Sequence, residues 1–101
     1  GGHFVYDHVD TIATLIKITK LDNSWEYHFK KDFGSNNKFI CEKASISING
    51  ISLTIANVFS DSFNISIIDH TFNQTNLQFL QIDDEVNIEF DYLARFILNN
   101  E

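Results

Sequence analysis

The stretch SISINGISLTI, Ser45 to Ile55, restricts what this chain can fold into more than any other segment. Ile46 and Ile48 alternate with Ser45 and Ser47. After Asn49-Gly50, Ile51, Leu53 and Ile55 resume the alternation, with Ser52 and Thr54 between them. Period two sends successive side chains to opposite faces, as a strand with one buried face requires and a helix cannot use. Asn and Gly tolerate the two left-handed positions of a type I′ turn, whose twist matches that of antiparallel strands. The segment is predicted to be a hairpin.

The same period recurs along the chain. TIATLIKITK, Thr11 to Lys20, places Ile12, Thr14, Ile16 and Ile18 on one side, which is expected to be the core face. A second strand is expected over Trp25 to Phe29, joined to the first through the turn formers Asp22, Asn23 and Ser24. Phe63, Ile65 and Ile67 continue the pattern in SFNISII. Val86, Ile88 and Phe90 repeat it in EVNIEFD, with Asn87, Glu89 and Asp91 on the opposite face. Between strands, NKFICEK (Asn37 to Lys43) reads as one or two helical turns from an Asn cap. Thr75 or Asn76 caps a short helix before Leu77, Phe79 and Leu80. The terminal YLARFILNN also reads as helical. About six short, turn-punctuated strands with small crossing helices predict an all-β fold, a closed antiparallel barrel, with an open sandwich as the alternative.

With 101 residues the chain has the length of one domain. Seven Lys and Arg against 14 Asp and Glu give a net charge of -7, which repels phosphate backbones and argues against nucleic acid as a partner. The single cysteine, Cys41, cannot form an internal disulfide, and no apolar run approaches the ~18 residues of a membrane span. A cytoplasmic protein with no membrane partner is the expectation. The sequence contains no Met, even at position 1, so it is expected to be part of a longer chain.

Chemistry-bearing residues concentrate at the start, GGHFVYDHVD, where His3 and His8 flank Asp7. Imidazoles titrate near neutral pH and suit acid–base work beside a carboxylate. Their odd separation puts them on opposite faces of an uninterrupted strand, and neither His28 nor Cys41 adds a metal-ligand spacing, so no metal is expected. On local chemistry alone Asp91, His70 and Lys43 read as solvated. Ser52 and Thr54 share one strand face, and Ser66 lies on a similar face of the strand SFNISII. Such a face suits a ligand wall or an ordinary wet surface.

Taken in order, GGHFVxxHVD, KASISINGISLTI, FNISIIDHTFNQTNL and DDEVNIEFDYLARFI resemble the C-terminal half of the riboflavin synthase family. The resemblance implies a six-stranded Greek-key barrel over residues 1–91 that binds lumazine, and the beginning of a C-terminal helix over 92–101. It also implies a parent with a similar N-terminal barrel, assembled as a homotrimer, whose sites form between the N-terminal barrel of one subunit and the C-terminal barrel of a neighbour. The implied reaction is a dismutation without cofactor: one 6,7-dimethyl-8-ribityllumazine donates a four-carbon unit to another, giving riboflavin and 5-amino-6-ribitylaminouracil.

Carried over by position, His3, His8 and Asp91 are the implied proton carriers. The implied substrate-binding set is Asp7, His8 and Val9, then Lys43, then Ser52, Leu53 and Thr54, then Ser66, Ile67, Ile68, Asp69, His70 and Thr71. Within it, hydroxyls and main-chain groups would pair with the polar ring and ribityl chain, and Ile68 would meet the ring face. The chain departs from the family at Asp7, Ala44 and Asp83, where the family usually has Gly, and at Asp69, where it has Pro. Asp7 beside His8 puts efficient catalysis in question. The isolated half is expected to bind ligand at most. A non-catalytic lumazine- or flavin-binding module of the lumazine-protein type is the alternative.

Overall fold

A computed structural model describes residues 9–93. The expected helix over 92–101 lies outside them except for Tyr92 and Leu93, which form a turn. Six strands close into a barrel: β1 (Thr11–Lys20), β2 (Ser24–Lys30), β3 (Ser45–Ile48), β4 (Ile51–Val58), β5 (Ser62–Ile68) and β6 (Glu85–Phe90). Around the barrel the order is β1-β2-β5-β4-β3-β6, and every neighbouring pair is antiparallel. Strands β3, β4 and β5 follow one another as hairpins, and β6 returns beside β3, which is the Greek-key arrangement. Closure leaves no unpaired edge, so the open sandwich is excluded.

The Asn-Gly turn forms as expected. Ile48 faces Ile51 across a two-residue loop, and Asn49 and Gly50 both have positive φ, 51° and 81°. Strand β1 matches its expected span, but its core face differs. Ala13 and Leu15 point inward, while Ile12 and Ile16 are 49% and 43% exposed. A bulge explains this: Leu15 faces Phe29 but Lys17 faces His28, so Ile16 is an extra residue and the alternation changes phase. Ile18, opposite the buried Tyr27, then packs on the core. A second bulge lies on β4, where Ile55 faces Ile65 but Asn57 faces Asn64. There Asn64, 3% exposed, accepts the Asn57 N–H on its Oδ1 at 2.8 Å. A side chain thus supplies an acceptor for a backbone donor at the irregularity.

The connections also differ from expectation. The first helical segment is a 3₁₀ helix over Gly34–Phe39, three residues ahead of the expected Asn37 start, and Asn37 Oδ1 reaches back to accept the Phe33 N–H at 3.0 Å. After β5 a short helix α1 (Asp69–Gln74) precedes a 3₁₀ helix over Asn76–Phe79, whose N-cap is Thr75, one of the two expected caps. Buried Tyr27 anchors that crossover by donating its hydroxyl to the Leu77 carbonyl at 2.8 Å.

Leu15, Phe29, Ile48, Phe63, Ile65 and Ile88 are 0% exposed and fill the barrel. Each such side chain contributes about 1.5–3 kcal/mol on burial before entropy is counted. A six-stranded barrel is too narrow to hold both this core and a bicyclic ligand.

Candidate functional site

Core side chains fill the barrel interior, so open space lies on the outer face. There the Asn-Gly hairpin and β6 form a groove. Ser47 stands opposite Ser52 on β4 and Glu89 on β6, and Ser45 stands opposite Thr54. Ser45, Ile46, Ser47, Ser52, Glu89, Phe90 and Asp91 line a groove of about 160 Å³. Its wall carries three hydroxyls and two carboxylates, the latter from Glu89 on β6 and from Asp91 just after it. Such a surface accepts N–H and O–H donors and repels anions.

Two of the residues implied by the resemblance, Ser52 and Asp91, therefore share this groove. Asp91 follows the last strand and accepts the Leu93 N–H on Oδ1 at 3.0 Å, which restricts its side chain. Ser45, Ser47 and Glu89 were not singled out from the sequence. Their signal was present in the polar phase of the strands that carry Ser52 and Asp91.

The remaining implied residues lie beside the groove, not in its lining. Lys43, with φ 70°, donates its N–H to the Ile55 carbonyl at 2.8 Å, so its backbone lies along β4. Because Ile55 faces Ile65, Thr54 and Ser66 are outward neighbours on adjacent strands. Ile68 is 58% exposed and offers an apolar surface. Two positions can serve a ligand only through their main chain, since Ile67 is buried and half-buried Leu53 packs against the core.

Asp69 opens α1 and pairs with Lys20 Nζ at 3.2 Å, with both side chains 44% exposed, which is worth about 0–1 kcal/mol. His70 is exposed, and the Thr71 carbonyl accepts the Thr75 hydroxyl at 2.8 Å. Phe72 stacks on Trp25 at 4.2 Å and holds α1 against β2. Val9 is 54% exposed, whereas His3, Asp7 and His8 lie outside the described residues.

Among the described residues no group of three His, Cys, Asp or Glu side chains is arranged to hold a metal ion. His28 sits on β2, where burial first and then the charge of Lys17 lower its pKa against a smaller raising effect of Glu26. The Tyr92 phenol is raised, chiefly by its hydrogen bond to the Asp10 carboxylate. No helix among the described residues is long and apolar enough to cross a membrane.

The family model for the lumazine binding domain matches residues 7–91. Riboflavin synthase of Actinobacillus pleuropneumoniae is 40% identical over 97 residues, which are 96% of this chain and 45% of that protein. Riboflavin synthase of Bacillus subtilis (strain 168) is 38% identical with the same coverage. The chain thus spans about half the length of the curated relatives it matches. Among solved structures, LumP complexed with 6,7-dimethyl-8-(1'-D-ribityl) lumazine superposes with a TM-score of 0.72 at 28% identity, covering 82% of this chain and 46% of that one. The solid barrel, the hydroxyl-lined outer groove and these likenesses agree: the chain belongs to the lumazine-binding domain family.

Proposed function

We propose that this chain is the C-terminal lumazine-binding half of a cytoplasmic riboflavin synthase, which converts two 6,7-dimethyl-8-ribityllumazine molecules to riboflavin and 5-amino-6-ribitylaminouracil. The observation that carries the reading is the outer groove, in which Ser52 and Asp91 meet on a wall of acceptors. A pyrimidinedione ring and a ribityl chain present N–H and O–H donors, which such a wall pairs with. Thr54, Ser66 and Ile68, adjoining on the outer face, extend the wall towards α1.

The size of the groove bears on assembly. Pockets that enclose a small ligand measure about 300–1,000 Å³. At about 160 Å³ this groove supplies one wall. The other wall would come from the N-terminal barrel of a neighbouring subunit in the parent homotrimer. Holding two reactants between two barrels supplies rate by orientation. The chemistry then needs a base for the acidic 7-methyl group of one lumazine and proton donors for ring opening and elimination, which are the roles assigned to Asp91, His3 and His8. The chain alone is expected to bind ligand without turnover.

A second reading, a non-catalytic lumazine or flavin carrier, draws on the solved LumP complexes with lumazine and with flavin mononucleotide. Turnover separates the two. The chain should release riboflavin from 6,7-dimethyl-8-ribityllumazine when joined to an N-terminal barrel of a riboflavin synthase, and lose that activity in the Asp91→Asn variant. Tight binding with no riboflavin formed, even after Asp7→Gly, would favour the carrier.

A further inference from the structure

Asp10 makes two hydrogen bonds to the end of β6 and one to Tyr92 just beyond it. Its N–H donates to the Ile88 carbonyl at 2.8 Å, its Oδ2 accepts the Phe90 N–H at 2.8 Å, and its Oδ1 accepts the Tyr92 hydroxyl. One carboxylate therefore grips the residues immediately before and after Asp91. The Tyr92 ring is held in turn, edge-on against Phe39 at 4.9 Å and against Phe90 at 6.3 Å. Asp91 completes the turn by accepting the Leu93 N–H.

We infer that Asp10 is a positioning residue for Asp91: its carboxylate, bridging the Phe90 amide and the Tyr92 hydroxyl, sets the direction in which Asp91 faces the groove. Closing the barrel seam does not by itself require this bridge, because β1 and β6 already pair from Thr11–Ile88 to Thr14–Glu85. A carboxylate that handles protons needs a fixed direction towards its ligand, and a residue that follows a strand is otherwise free to turn. The inference rests on the proposed role of Asp91.

The test has one arm without ligand and one with it. Without ligand, amide hydrogen exchange at Phe90 and Leu93 should accelerate about tenfold or more in Asp10→Ala while the Ile65 amide in the barrel stays unchanged. Tyr92→Phe, which removes a single hydrogen bond, should accelerate Leu93 several-fold and serves if Asp10→Ala fails to fold. With ligand, Tyr92→Phe should weaken 6,7-dimethyl-8-ribityllumazine binding about fivefold when Asp91 is present and leave it unchanged in the Asp91→Asn background. Unaltered exchange at Leu93 in Tyr92→Phe, or an equal loss of affinity in both backgrounds, overturns the inference. If the unsubstituted chain binds no ribityllumazine, the functional reading falls, and the exchange at Phe90 and Leu93 alone decides the positioning of Asp91.

Discussion

Removing the Tyr27 hydroxyl isolates one buried hydrogen bond that anchors the crossover carrying Asp69, His70 and Thr71. Tyr27 is 1% exposed, and its hydroxyl donates to the Leu77 carbonyl at 2.8 Å; Leu77 itself is 1% exposed. Tyr27→Phe keeps the ring and its packing but leaves that carbonyl without its partner. An orphaned buried acceptor costs about 1–3 kcal/mol, so about 2 kcal/mol is expected here. For a domain of this length that corresponds to a fall in Tm of roughly 8–16 °C, read by near-ultraviolet circular dichroism and by urea unfolding at constant m-value. The alkaline limb gives an independent reading. Burial raises the Tyr27 pKa above 10.0, so its contribution is fully present below pH 10.0 and is lost as pH rises through the folded-state value. The Phe variant should therefore lose less stability above pH 10.0 than the unsubstituted protein. A fall in Tm below about 2 °C with an unchanged alkaline limb would refute a dry, bonded hydroxyl at this position.

Three further outcomes are expected. Asp83 has φ 77°, so Asp83→Gly should relieve left-handed strain and raise stability by about 0.5–1 kcal/mol in urea unfolding, whereas a loss would show that the Asp side chain supports the turn. The His28 pKa is lowered from 6.5, chiefly by burial, so the unfolded chain takes up the proton first and stability falls as pH drops below about 6.5. His28→Gln should flatten that part of the acid limb, and an unchanged limb would contradict the assignment. Thr54→Ala and Ser66→Ala should each weaken ribityllumazine binding by about 0.5–1.5 kcal/mol in a fluorescence titration while leaving Tm within about 3 °C, since both hydroxyls are exposed.

The sequence made most of the barrel legible through period-two alternation and through Asn49-Gly50, because both are local consequences of chain geometry. The inward face of β1 was not legible. Ile12 and Ile16 look like core residues, and only the bulge at Ile16, which depends on pairing with β2, turns Ala13 and Leu15 inward. Helix α1 escaped notice because Asp69–Gln74 lacks an apolar stripe, its place being set by Phe72 on Trp25. In the site, Ser52 and Asp91 came from resemblance, since an outward Ser and a strand-terminal Asp look like any wet surface. Their meeting in one groove depends on β6 returning beside β3, a long-range pairing that local patterns do not encode.

Amide chemical shifts of the isotopically labelled chain, followed during titration with 6,7-dimethyl-8-ribityllumazine, would show whether this barrel carries its ligand on the outside. Saturable shifts at Ser45, Ser47, Ser52, Thr54, Ser66 and Asp91, with Ile65 and Phe29 unmoved, are the expected result. Saturable shifts confined to other surfaces, or none at millimolar ligand, would contradict a lumazine site in the outer groove.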